Sequence, residues 1–338
     1  MGSSPPWSKD KDLVDKKNNN KKRKHAKVKS PIAILYGGTS AERAVSCATA
    51  EAVARAMMKL QLPFEKVDVT QTSAWIDALR SMQPRMVFIA LHGGSGENGT
   101  VQAVLDMLGL PYNGSGVMAS ALAMDKARAK VIFSNAGLEV AADRTYPAHA
   151  VPKDFTEVGI ALPVVVKPVC EGSSVGVSVV RNAAEWGKAV KQAEGYGWPV
   201  MVEAYIPGRE LTVAVMGDKA IAVTEIIPEA DMFYNYDAKY ATGGSRHVVP
   251  ADIPEDVYTK ALSYAEKAHK SLGCSGATRT DFRYNERSGE LVVLELNTLP
   301  GMTATSLLPE QAAYTGDSFE DLARKIVEDA GCVTHKVA

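Results

Sequence analysis

The chain has 338 residues, too many for one small core, and with 46% hydrophobic and 23% charged residues its composition is that of an ordinary globular protein. Its net charge of −1 hides an asymmetry: residues 1–30 hold ten Lys/Arg against three Asp, about +7, which leaves the remainder near −8. So acidic a body argues against nucleic acid as the main ligand, and no apolar run is long enough for a signal-peptide core or a membrane span.

Residues 1–30, with Asn18-Asn19-Asn20-Lys21-Lys22-Arg23-Lys24-His25, lack apolar periodicity and read as a disordered basic tail. A localisation signal or polyanion-binding arm is the competing reading. Cys47, Cys170, Cys274 and Cys332 are scattered with no Cys-x-x-Cys pair, as expected of reduced thiols in a cytoplasmic protein.

Ile32-Ala33-Ile34-Leu35-Tyr36 predicts a buried strand ending at Gly37-Gly38, and a helical pattern begins after Ser40, which reads as its N-cap with Glu42 in the first turn. Met86 to Leu91 is a second continuous apolar run, leading into His92-Gly93-Gly94. Two strand–Gly-loop–helix units in succession predict an open α/β layer with parallel strands. Ligands bind such layers at the carboxyl ends of the strands, where Glu42, Ser46, His92, Glu97 and Gly99 lie. A carboxylate there suits a substrate ammonium group; helix capping explains Ser40 and Glu42 equally well.

A second region begins near Met124-Asp125-Lys126. Pro163-Val164-Val165-Val166-Lys167 and Val177-Ser178-Val179-Val180 flank Glu171-Gly172-Ser173-Ser174-Val175-Gly176, a hairpin with a small flexible tip. A lysine emerging from a buried strand beside such a loop is suited to grip a polyphosphate, although an exposed strand-end lysine before an ordinary turn reads the same way. Neither a P-loop signature nor a dinucleotide G-x-G-x-x-G is present. Val200 to Glu203 is a further strand; Glu203 and Glu210 bracket a Pro-Gly turn whose backbone can read an adenine edge and whose carboxylates can accept from ribose hydroxyls. Strands follow at Leu211 to Met216 and Ala220 to Ile226, then a polar loop from Phe233 to Val249, and a helix near Pro254 to Leu272. The loop fits a packed surface segment or a lid over reactants.

The last hairpin carries the sharpest signal. Arg279-Thr280-Asp281 and Leu294-Glu295-Leu296-Asn297 alternate apolar and polar residues around the polar loop Tyr284 to Glu290. Symmetry about Ser288 sets Asp281 opposite Glu295 and Arg279 opposite Asn297, all on one face. Facing carboxylates repel, and a divalent cation holds both ionised; hard oxygen ligands suit magnesium with substrate phosphates completing the shell. A solvated strand face is the plain alternative. Pro300-Gly301 then turns backbone N–H groups toward the same place.

From about Pro31 to about Ala330 these motifs, in order, resemble the D-alanine–D-alanine ligases of the ATP-grasp superfamily. The resemblance rests on Gly37-Gly38-Thr39-Ser40-Ala41-Glu42-Arg43, His92-Gly93-Gly94-Ser95-Gly96-Glu97-Asn98-Gly99, Leu110-Pro111-Tyr112-Asn113-Gly114-Ser115-Gly116 and Met124-Asp125-Lys126. It continues through Lys167-Pro168 with the Glu171–Gly176 loop, Asp237-Ala238-Lys239-Tyr240, the last hairpin and Pro300-Gly301-Met302-Thr303. It implies an α/β, three-domain ATP-grasp architecture: an N-terminal open α/β substrate domain over 31–122, a central domain over 123–205, and a C-terminal metal-binding domain over 206–335. It implies that one D-alanine carboxylate takes the γ-phosphoryl group of ATP to give an acyl phosphate, which the amine of a second D-alanine attacks to make a cell-wall precursor.

The same resemblance gives Lys126, Lys167 and Lys239 to ATP phosphates, Glu203 and Glu210 to the adenine and ribose side, and the backbones of Ala204 and Ile206 to the base. Asp281, Glu295 and Asn297 would bind two Mg2+ ions, with Mn2+ able to substitute. Arg279 and the Gly301 N–H would stabilise the developing oxyanion. Glu42 would hold the first substrate's ammonium near His92, Ser306 and Lys239 the second's carboxylate, while Glu42, Ser173 and Tyr240 would form a hydrogen-bonded set that closes the lid loop over the reactants. A homodimer is implied. Asn98 and Asn235 depart from the family's Asp, the first expected to alter the substrate pocket and the second the lid. The Lys239-Tyr240 pair is similar to the dipeptide-forming branch, which favours an amine over a hydroxy acid as second substrate. The rival readings are another ATP-grasp carboxylate–amine ligase, a silent nucleotide-binding protein, and a polyanion-binding protein driven by the tail.

Overall fold

The structure, a computed structural model, describes residues 30–70, 72–228 and 245–331. The basic tail, Cys332 and most of the expected lid, including Asn235, Asp237, Lys239 and Tyr240, lie outside the described residues.

The first layer runs β1 (Ile32–Gly37), α1 (Arg43–Lys59), β2 (Phe64–Val69), α2 (Ala74–Met82), β3 (Met86–Ile89) and α3 (Thr100–Met107), with β1 paired in parallel to both β2 and β3. Ile32, Ala33, Ile34 and Leu35 are buried to the last atom because helices cover both faces. β2 escaped the sequence reading: it is an edge strand with exposed Glu65 and Lys66, so its apolar content is low. The helix start also differs. α1 begins at Arg43 with Glu42 in the cap position, and Ser40 is no N-cap of α1. Its hydroxyl donates to His92 O at 2.6 Å and accepts from the Glu42 N–H at 3.2 Å, tying the loops after β1 and β3 together.

Next come α4 (Val117–Met124), α5 (Lys126–Asn135), β4 (Asp143–Tyr146), β5 (Val164–Pro168), β6 (Ser178–Val180), α6 (Trp186–Glu194) and β7 (Val200–Ala204). The strands form an antiparallel sheet in the order β4-β7-β5-β6. Its core is Val164, Val166, Val200 and Val202 under Trp186 of α6. Asp125 caps α5 by accepting from the Arg128 N–H at 3.0 Å. Helices α4 and α5 turn their apolar side away from this sheet; Ala123, Ala129 and Phe133 pack with Leu211, Phe282 and Leu291 of the following sheet.

That sheet comprises β8 (Arg209–Met216), β9 (Lys219–Pro228), β10 (Ser245–Val248), and, after α7 (Glu255–Ser271), β11 (Ala277–Asn285) and β12 (Glu290–Asn297), in the order β10-β9-β8-β11-β12. In α7 the residues Val257, Ala261, Ala265 and Ala268 recur at helical spacing and face the sheet. Acidic Glu255 and Asp256 open that helix and Lys270 closes it, matching its dipole. On the other face lie α8 (Leu307–Tyr314) and α9 (Phe319–Asp329). A bulge in β8 takes Ala214 out of the ladder with β9, and buried Gln311 of α8 accepts from its N–H at 2.8 Å. Leu322, Ala323, Ile326 and Val327 of α9 share a core with Val53 and Met57 of α1, so the C-terminal helix clamps the last sheet to the first layer.

One backbone contact sets that clamp's geometry. Gly276, just before β11, has φ +69°, and a Cβ there would sit 2.9 Å from the backbone of Gly114. Gly276→Ala therefore combines left-handed strain with a clash against main chain, and we expect it to destabilise the protein by about 2 kcal/mol or more, read as a lowered Tm.

Candidate active site

The last hairpin builds the site floor. Register pairs Arg279 with Asn297 and Asp281 with Glu295, as alternation about Ser288 predicts. Beyond them the register shifts, Phe282 pairing with Val293 and Asn285 with Glu290, so Leu294 is the extra residue of a bulge. Asp281 is buried and accepts from Arg279 Nε at 2.9 Å, Arg279 Nη2 at 2.8 Å and Thr212 Oγ1 at 2.6 Å. Lys126 Nζ stands 3.2 Å from Glu295 Oε2. The repulsion between the facing carboxylates is thus offset here by one cation on each. Asn297 Oδ1 accepts from the Leu299 N–H at 3.0 Å and shapes the turn into Pro300-Gly301.

These donors fit a hard divalent cation: two carboxylates and an amide, all oxygen. Among the described residues no group of three or more His, Cys, Asp or Glu could hold a metal ion by itself.

The wall comes from the central sheet. Lys126 Nζ, at the start of α5, donates to Glu171 O at 2.6 Å and so touches the Gly/Ser loop as well as the hairpin. Ser173 and Ser174 in that loop have φ +51° and +58°, a left-handed conformation uncommon for residues with a side chain. Tyr196 and Pro168 press on Gly176, where a Cβ would fall 2.7 and 2.8 Å from them, and Trp198 Nε1 donates to Glu171 Oε1 at 2.9 Å. Lys167 does not emerge as an exposed strand-end lysine: its Nζ donates to Glu203 Oε2 at 2.6 Å. The other oxygen accepts from Lys130 at 2.6 Å. Burial pushes the Glu203 carboxyl up, but Lys167 and Lys130 together bring it below the usual carboxylate range. Lys130 was not singled out from sequence; its only signal is the four-residue step from Lys126, one turn along the same helix face. The Ala204 N–H donates to Ala142 O and Ile206 O accepts from Arg283 Nε, while Glu210 Oε2 lies 3.6 Å from Arg283 Nη1.

The roof comes from the first layer. Glu42 is buried and its Oε1 accepts from the Ser173 hydroxyl. Gly93 must be glycine: its φ is +67° and a Cβ would lie 2.4 Å from Glu42 Oε2. His92 is buried with Nε2 at 2.9 Å from Thr49 Oγ1 and Nδ1 at 3.5 Å from Glu97. Ser306 Oγ accepts from the Thr303 N–H at 2.9 Å, and a Cβ on Gly301 would be 2.7 Å from it. Asn98 accepts from the Thr100 N–H at 3.0 Å at the start of α3.

Two joined cavities result. One, of about 1070 Å³, gathers Glu42, His92, Lys126, Ser173, Arg279, Asp281, Glu295, Asn297, Gly301 and Ser306. The other, of about 810 Å³, gathers Lys126, Lys167, Glu203, Ala204, Ile206, Glu210, Asp281 and Glu295. Lys126, Asp281 and Glu295 line both, so the acidic pair stands at the junction.

Comparison with known proteins agrees with this geometry. The family described as "D-ala D-ala ligase C-terminus" matches residues 135–328, and "D-ala D-ala ligase N-terminus" matches residues 77–115. The D-alanine–D-alanine ligase of Gluconobacter oxydans (strain 621H) is 48% identical over 301 residues, covering 88% of this chain and 98% of that protein. Among solved structures, D-alanine–D-alanine ligase from Bacillus anthracis complexed with ATP superposes with a TM-score of 0.76 at 28% identity, covering 89% of this chain and 97% of that one. The VanG D-Ala:D-Ser ligase from Enterococcus faecalis gives a TM-score of 0.75 at 29% identity, covering 88% and 98%. The three-sheet α/β architecture is thus the ATP-grasp arrangement expected from the motifs. With most of its length matched by both comparisons, the chain belongs to the D-alanine–D-alanine ligase family.

Proposed function

We propose that the protein joins two D-alanine molecules at the expense of ATP, making D-alanyl-D-alanine for the cell wall. The observation that carries this reading is the placement of Asp281 and Glu295 where the cavity lined by Lys167, Glu203 and Glu210 meets a second cavity containing Arg279, Glu42 and Ser306. The carboxylate oxygen of one D-alanine takes the γ-phosphoryl group as its bond to ADP breaks. The amine of the second then attacks the acyl carbonyl, a C–N bond forms, and phosphate leaves with the acyl C–O bond broken and the amine proton released.

Lys126 and Lys167 bind the phosphates, the Gly/Ser loop adds N–H donors, and Glu203 and Glu210 receive the base and ribose. With the Ala204 N–H and the Ile206 carbonyl already engaged, the Ala204 carbonyl and the Ile206 N–H are the backbone groups assigned to the base. Asp281, Glu295 and Asn297 hold two Mg2+ ions, for which Mn2+ substitutes. When bound they neutralise charge on the transferring phosphoryl group. Arg279 and the Gly301 N–H face the carbonyl oxygen, and donors fixed in place before charge develops there cost no reorganisation. Glu42, held against Ser173, takes the first ammonium beside His92, and Ser306 takes the second carboxylate. The enzyme works as a cytoplasmic homodimer; among the described residues no helix is long and apolar enough to cross a membrane.

The test is phosphate release with product identified by mass, using a panel of D-alanine, D-serine, other D-amino acids and D-lactate. D-alanyl-D-alanine formed only with ATP, D-alanine and magnesium together is the expected result. No phosphate release with D-alanine, under conditions where ATP binds, overturns the reading, and a preference for another pair reassigns the substrates.

A further inference from the structure

Lys130 is a lysine that solvent scarcely reaches. Its side chain is 3% exposed, and its ammonium donates to Ala141 O at 2.7 Å and Glu203 Oε1 at 2.6 Å, with Asp143 Oδ1 at 2.9 Å. Two hydrogen bonds and an ion pair thus hold the ammonium among oxygens of its own chain, away from any ligand. Lys167 reaches the other Glu203 oxygen from the cavity wall. Glu203 is therefore the shared counter-ion of one lysine fixed in the core and one beside the nucleotide. A buried carboxylate stripped of every cation takes up a proton.

We propose that Lys130 is a positioning residue for nucleotide recognition: it is the fixed counter-ion that keeps Glu203 ionised and aimed at the base when Lys167 turns to phosphate. The inference rests on the ATP-binding reading above. An ionised Glu203 accepts from an exocyclic amino group on the base; a protonated one does so poorly. Three segments meet at Lys130: α5 carries it, β4 supplies Asp143, and β7 supplies Glu203, which is paired in register with Asp143. The groups facing Glu203 are Lys130 from α5, Lys167 from β5 and Asp143 from β4, with Glu210 of β8 and Arg283 of β11 lining the same cavity. With Lys130 removed and Lys167 on phosphate, the burial that pushes the Glu203 carboxyl up is no longer opposed by either lysine. Nucleotide affinity is then lost from the acid side.

The experiment measures kcat and KM for ATP and for ITP, which carries a carbonyl in place of the 6-amino group, over about pH 5–9. It uses the full chain, K130M, K130R, E203Q and the double variant K130M/E203Q, which removes both buried charges. In K130M we expect KM for ATP to rise about tenfold with kcat within about twofold, and the acid limb to move up by about one pH unit. The preference for ATP over ITP shrinks, K130R restores all three, and K130M adds nothing in the E203Q background. Unchanged KM, acid limb and base preference in folded K130M overturn the proposal. An equal further loss in the E203Q background does the same, and this comparison decides the matter if K130M alone fails to fold. An unmodified chain that binds no ATP refutes the underlying reading instead.

Discussion

Asp281→Ala is expected to cut phosphate release on the order of 10³-fold, the largest loss of any single substitution in the site. The carboxylate is buried, borders both cavities, and accepts three hydrogen bonds. Its removal deletes a proposed metal ligand and also frees the Arg279 fork, so phosphoryl transfer and oxyanion stabilisation suffer together. Folding pays a smaller penalty, about 1–3 kcal/mol, because Arg279 and Thr212 lose a buried partner. Asp281→Asn keeps the volume and one acceptor oxygen, which separates the two effects: its Tm should stay closer to that of the unmodified chain while phosphate release remains poor. Calorimetric titration with ATP at rising magnesium gives an independent reading, since the variant should need more magnesium for the same nucleotide affinity. Retention of more than about a tenth of the phosphate release would remove Asp281 from the metal site.

How far the sequence reveals this site depends on how local each interaction is. Strands β1, β3 and β5 are legible because burial on both faces leaves unbroken apolar runs. Edge strand β2, with Glu65 and Lys66 turned to solvent, leaves none. The pairing of Asp281 with Glu295 follows from alternation alone, but the bulge does not; its one trace is the run Leu291-Val292-Val293-Leu294, where alternation fails. Resemblance supplied roles for Glu42 and Ser173, yet their contact spans 131 residues and has no local signature. Lys130 is the extreme case. Lysines on helices are normally solvated, and nothing near it in sequence announces Glu203, 73 residues away, as its buried partner. Ser40 shows the opposite error: a residue type favoured as an N-cap is here a strut between two loops.

Glu42→Gln should lower kcat/KM for D-alanine on the order of 10²–10³-fold while leaving ATP affinity within about twofold. Glu42 sits at the entry to α1 in the first layer, whereas its partner Ser173 belongs to the Gly/Ser loop of the central sheet. In the proposed function one carboxylate thus meets the first ammonium, and it also fastens the first layer to the Gly/Ser loop of the central sheet. Gly93 and Gly172 make room for it: a Cβ on either would lie 2.4 or 3.3 Å from Glu42 Oε2. The neutral amide keeps the shape and one acceptor but loses the charge that a buried ammonium requires. Ser173→Ala leaves that charge and removes only a positioning bond, so its loss should be smaller, about tenfold. The two contribute through one contact, and the double variant should therefore be less impaired than independent effects predict. Additive losses, or an equal fall in ATP affinity, would place Glu42 in domain closure and not on the substrate. Glu42 does not line the cavity proposed for the nucleotide, and this separation is why ATP affinity is the discriminating measurement.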